Sequence, residues 1–377
     1  MNPRRTGRIL SLVVHKIFAL LVAFAVGSGA AASEVPLRTV EALSPVYTVD
    51  REHRSMMGPS SAQTLRFPEA DQPELLWVTG FQSRMVAADG ISPMPDELMC
   101  HSNLDFNREH HAALHDIPIY HTERLFTLSQ GQLEIELPDG FGLPYYSDEE
   151  FILSTQVLQL NHDGQSREVR HRITLEYVRQ RDLEAAGAAM KPLFATSGWG
   201  LVSLGESPAH WGREETVEEH HGPGCLPGTA AAEDLRDDVL GRSFSGHWVV
   251  PPGRQVNRTL VTDLLALRYD TTVHYIAVHL HPFAESIELR DLTAGETVFK
   301  SDVEGYADRI GIRRLQHFED DEGIPMYADH EYELVSVYNN TTDRDQDSMA
   351  VLLLYLLDTE FELKAPVMLG SSAPPGE

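Results

Sequence analysis

Cysteine, basic side chains and long apolar runs are what this chain has least of. Its 377 residues include two cysteines, Cys100 and Cys225, too few for a disulfide framework, and no Cys-x-x-Cys-His haem attachment occurs. In an oxidising compartment they form one bridge, or one of them serves a metal; the sequence leaves both open. Lysine and arginine number 30 against 57 aspartates and glutamates, a formal net charge of −27. That balance opposes nucleic acid and anionic membrane surfaces as partners. The surplus of carboxylates itself reads as a solvated surface. The apolar run 17–26 is shorter than the roughly 20 residues of a membrane-spanning helix. It follows Arg4, Arg5, Arg8 and Lys16 and precedes the small residues 27–33, the layout of a cleavable signal peptide over 1–32. The expectation is a secreted or periplasmic protein with no membrane association after cleavage. Also missing are a Gly-x-Ser-x-Gly elbow, a Gly-rich phosphate loop and a His-Glu-x-x-His helix.

What is present is β pattern. Short runs rich in Val, Ile, Leu, Tyr and Phe alternate with Pro, Gly, Asp and Asn, as at 132–137, 151–160, 170–178, 274–281, 286–290, 332–338 and 349–357. Such punctuation predicts antiparallel β-sandwiches. The length exceeds one hydrophobic core, so the expected fold is all-β, with two tandem jelly-roll-like sandwiches at 33–205 and 241–365. Between them, 206–240 is rich in Gly, Pro, Ala, Glu and Asp and reads as a linker or insertion. Residues 366–377 read as a disordered tail. The carboxylate runs 148–150 and 319–322 read as solvated loops.

Eighteen histidines are the feature that asks for a function. In Val278-His279-Leu280-His281, strand alternation puts both imidazoles on one face, a natural clamp for a transition metal. His274 falls an odd number of residues away and reads as structural. Met349 stands at the polar-to-apolar border of the run 349–357. Methionine is commonly core filler, so a ligand role for it requires the two strands to be neighbours. Its thioether would favour Cu(I), while imidazoles serve both copper oxidation states.

These residues carry a resemblance. The stretch 248–357 resembles the C-terminal domain of the copper type II, ascorbate-dependent monooxygenases, the family of peptidylglycine α-hydroxylating monooxygenase and dopamine β-monooxygenase. It shares Val250-Pro251-Pro252-Gly253, the strand ending His279-Leu280-His281, and Asp345-Gln346-Asp347-Ser348-Met349 running into an apolar strand. The resemblance implies that His279, His281 and Met349 hold a catalytic copper. Less tightly, Leu137-Pro138-Asp139-Gly140-Phe141-Gly142, Tyr145 and the strand 156–160 resemble the family's first domain, which carries an electron-delivering copper. There the resemblance implies His101 and His162 as ligands. Cys100 stands where the first of an adjacent histidine pair belongs, and His162 is displaced by one place. His110, His111 and His115 lie nearby in what reads as an exposed acidic loop, and His220 and His221 lie in the linker.

Two functions follow. The first is an exported copper monooxygenase that hydroxylates a C–H bond with molecular oxygen and a small, ascorbate-like reductant. The second is a non-catalytic copper-binding protein that keeps the double sandwich and one metal site. The altered Cys100-His101 pair favours the second.

Overall fold

A computed structural model describes residues 35–203, 235–237 and 243–363, except 56, 69–71 and 120–121. The expected signal peptide, the tail, and most of 206–240 with His220, His221 and Cys225 lie outside the described residues. From 206–240, only Leu235–Asp237 is described, a short strand paired with Ser243–Ser245.

The described chain is all-β, with mainly antiparallel sheets layered as sandwiches and only short helices. The largest sheet has ten strands. Its path runs Arg38–Leu43, Arg167–Arg179, Leu75–Ala87, Phe141–Tyr146, Lys191–Trp199, Ala350–Leu357, Thr271–Leu280 and Phe318–Met326. A four-stranded sheet built from Ser60–Arg66, Glu150–Val157, Met99–Phe106 and Arg124–Leu128 covers the first half. A five-stranded sheet centred on Tyr332–Asn340 and Ala284–Asp291 covers the second.

The two halves therefore share a sheet. Strand Lys191–Trp199 pairs antiparallel with Ala350–Leu357, from Leu193 opposite Leu357 to Trp199 opposite Val351. The sequence of Ala350–Leu357 explains why. It is apolar at every position, and a strand apolar on both faces must be covered on both. Met349, Val351, Leu353 and Tyr355 pack into the first core with Leu104, Phe126 and Leu128. Ala350, Leu352, Leu354 and Leu356 pack into the second with Ile287, Leu289 and Leu334. An isolated second sandwich would leave one of those faces wet. Polar contacts reinforce the junction: the Tyr355 hydroxyl donates to the Leu125 carbonyl at 2.8 Å, and Gln132 Nε2 donates to the Tyr275 hydroxyl at 3.1 Å.

The tip of a first-half turn, Gln130-Gly131, fits against strand Ile312–Leu315 of the second half. Gly131 has φ +84°, and a Cβ there would lie 2.5 Å from Ile312 Cγ2. Its carbonyl accepts from the Leu315 N–H at 3.0 Å. Gly131→Ala therefore meets both a left-handed backbone and a collision, and is expected to cost about 1–3 kcal/mol. Urea denaturation of the two chains checks this; superimposed curves would refute it.

Candidate metal centre

Strand Thr271–Leu280 ends at the candidate site, because Pro282 has no N–H to extend the ladder. The register His279 opposite Val351 and Leu280 opposite Ala350 continues one step, with the His281 N–H donating to the Met349 carbonyl at 3.4 Å. Directly opposed residues share a face of the sheet. His279, His281 and Met349 thus stand together, on the face turned toward the first half. Phe283, held at φ +74°, turns the chain away immediately afterwards, and its carbonyl accepts from the Asn339 N–H at 2.8 Å. Tyr338 braces the corner: its hydroxyl donates to the Met349 carbonyl and lies 3.3 Å from the His281 nitrogen.

All three side chains are buried, with exposures of 3% for His279, 2% for His281 and 1% for Met349. The His279 and His281 rings lie 5.4 Å apart and nearly perpendicular, at 84°. His279 Nδ1 is buried with no hydrogen-bond partner. A buried imidazole nitrogen left unpaired is costly, and a metal ion would satisfy it.

Two further residues join them that the sequence reading did not single out. His247, fully buried just before strand Trp248–Val250, lies with its ring 5.9 Å from that of His281. Asp347, on strand Gln346–Ser348, places Oδ2 3.5 Å from His281 Nδ1. One donor atom each from His247, His281 and Asp347 falls within 4.8 Å of the others. Asp347 was readable in principle, since it stands two residues before Met349 in an extended segment. His247 carries no spacing signal; it arrives because strand Trp248–Val250 pairs with Gln346–Ser348.

His101 also faces this cluster. Burial pushes its pKa well below the ordinary imidazole value, and the neighbouring Arg124, His171 and His281 act the same way. For His279 the cause is again burial first, then His281, His101, Arg124 and His247. Both rings are accordingly neutral at physiological pH. Arg124, itself 1% exposed and paired with Asp105, supplies a fixed positive charge nearby.

The expected partners of His101 are elsewhere. A register shift between Met99 and His101 marks a β-bulge at Cys100. The bulge re-aims consecutive side chains: Cys100 packs with Leu158 and Leu160 in a small apolar cluster, and His101 Nε2 donates to Gln156 Oε1 at 3.1 Å. Burial first, then Arg51, lowers the pKa of His53, and His162 adds to the same effect. Among the described residues, Cys100, His101 and His162 do not form a group of donor atoms within 4.8 Å of one another, while His101 interacts electrostatically with His279 and His281. His274, expected to be structural, accepts from the Thr272 hydroxyl at 2.7 Å and donates to the Asp320 carbonyl at 3.0 Å.

Two loop readings are corrected as well. Residues 108–115 form a helix, Arg108–His115, capped by the Asn107 side chain accepting from the His110 N–H. The cap was the missed signal. His111 and His115 are buried on it at 4% and 5% exposure, and Glu149 is buried at 3%. Burial alone would raise the Glu149 pKa, but His111 and His115 outweigh it and hold the carboxyl at about 2.

No protein-family model matches this chain, and no curated protein does. Among solved structures, the chain is similar to the STIV MCP at 10% identity and TM-score 0.29, over 83% of this chain and 97% of that one. It is also similar to a peptide-N(4)-(N-acetyl-β-D-glucosaminyl) asparagine amidase at 8% identity and TM-score 0.33, over 88% and 99%. A third similarity, to PNGF-II, has 7% identity and TM-score 0.35, over 87% and 67%. Likeness at this level carries no argument about function.

Proposed function

We propose that this protein binds one copper ion in a closed site between its two halves, and that it is a copper-binding relative of the monooxygenases rather than a hydroxylase. The observation that carries the reading is the buried His279, His281 and Met349 set, with His279 Nδ1 unsatisfied and His247 beside it. Imidazoles with a thioether are a donor set suited to copper, and to Cu(I) above all. Catalytic metal sites keep a position open to substrate, whereas closed sites hold the ion. Exposure of 3% or less at His279, His281, Met349 and His247, with only the Asp347 side chain partly exposed, supports the second kind.

The hydroxylating reading would need an electron-delivering copper at Cys100, His101 and His162, and an oxygen-accessible one at His279, His281 and Met349. Cys100 packs among leucines and His162 lies beside His53, so the proposal leaves that chemistry out. Competition with a Cu(I)-specific chelator is expected to give one Cu(I) per chain. Two coppers together with oxygen consumption driven by ascorbate would reinstate the hydroxylase. Met349→Ala is expected to weaken Cu(I) by about tenfold, roughly 1.4 kcal/mol, and Cu(II) less. Equal Cu(I) affinity in both chains would remove methionine from the donor set.

A further inference from the structure

The helix histidines and Glu149 make a second constellation that shares no residue with the first. His111 and His115 are four residues apart on one helix, so they project from the same face. Glu149 reaches them from the turn between strands Phe141–Tyr146 and Glu150–Val157. His111 Nδ1 donates to Glu149 Oε2 at 2.8 Å, and His115 Nε2 lies 3.3 Å from Oε1. The Tyr146 N–H donates to Oε1 at 2.8 Å and anchors the carboxylate from behind. The two imidazole rings are 4.3 Å apart. Aromatic rings fix their orientation: Phe106 and Tyr145 against His111, Tyr146 against His115.

We propose that His111, His115 and Glu149 form a second metal site, for zinc or a similar borderline divalent ion. One donor atom from each already lies within 4.8 Å of the other two, and a modest contraction brings them to the spacing set by metal–ligand bonds of about 2.0–2.2 Å. Two imidazoles and a carboxylate, with no sulfur, suit zinc rather than Cu(I). The arrangement also has an outer shell, the Tyr146 backbone donor, of the kind that orients a ligating carboxylate. His115 further borders a cavity of about 110 Å³ whose charged lining is Asp116, Asp358, Glu360, Glu362 and Arg268, the last paired with Glu360 at 3.3 Å. That space admits water as a fourth ligand, and its excess of carboxylates over the single cation of Arg268 draws cations toward the mouth.

The test uses the full chain stripped of metal. Zinc is titrated into the wild type, into a His279→Ala/His281→Ala double variant, and into that variant carrying Glu149→Gln or His115→Ala. The double variant is expected to keep one zinc equivalent. Either added substitution should weaken it by more than the roughly 10–100-fold that loss of an outer-shell partner costs. Cobalt substituted into the double variant should show visible absorption of a low-symmetry nitrogen–oxygen site, lost with Glu149→Gln. Undiminished zinc affinity in folded Glu149→Gln and His115→Ala chains overturns the proposal and leaves a hydrogen-bonded network. If the added variants do not fold, the double variant decides alone: a missing zinc equivalent, or a thermal midpoint that zinc does not raise, also overturns it. Copper binding by Glu149→Gln in the otherwise wild-type chain stays intact, so failure here is distinct from failure of the copper site.

Discussion

His281→Ala and His279→Ala are each expected to abolish high-affinity copper binding while the chain stays folded. Both imidazoles stand on one face of a strand end, opposite Met349, and neither is replaceable by solvent, since both are almost fully buried. The loss should exceed the roughly 10–100-fold that removing an outer-shell partner costs, and it should affect Cu(I) and Cu(II) alike because imidazole serves both. Folding should survive for a specific reason. Truncating His279 removes a buried nitrogen that has no hydrogen-bond partner, so the loss of packing is offset by relief of a desolvated group. Competition titration with circular dichroism as the folding control checks both halves of the expectation. Copper affinity unchanged in either folded variant would remove that residue from the site.

The second large effect is acid lability of the metal-free chain. Burial lowers the pKa of His171 to about 3, and burial first lowers those of His101 and His279 well below the ordinary value. The unfolded chain protonates these groups near pH 6.5, while the folded chain keeps them neutral. Between those limits the unfolded state binds more protons, so stability rises with pH. The contribution is fully present above about pH 6.5 and is lost as pH falls toward 3. For His171 alone the window is on the order of 5 kcal/mol, at about 1.4 kcal/mol per pH unit. Urea midpoints between pH 7 and pH 4 should fall steeply, and less steeply in His171→Gln. A midpoint indifferent to pH in that range would show that these rings are hydrated or already charged.

The corrections share one cause. Cys100 and His101 are adjacent in sequence, and strict alternation predicts only that they face opposite ways. The bulge at Cys100 decides which of them reaches the histidine cluster, and nothing local announces a bulge. His111 and His115 read as exposed because their surroundings are acidic. Their burial comes from packing against Phe106, Tyr145 and Tyr146, residues whose proximity depends on strand pairing. Glu149 was hidden in the same way, inside a carboxylate run whose neighbours Asp148 and Glu150 are not buried.

The sequence by itself determined the all-β class, because alternation and turn residues are local properties of the chain. It also determined that His279 and His281 share a face, since two residues on one strand have no other option. It marked 349–357 as an apolar strand, because the run holds no charged position. Only the tertiary structure decided that the two halves share a sheet, that Met349 lies opposite His281, and that His101, His247 and Asp347 arrive from three other segments. Those placements depend on which strand pairs with which, at what register and around which bulge. They are settled by the burial of faces drawn from distant parts of the chain, and no single segment contains that information.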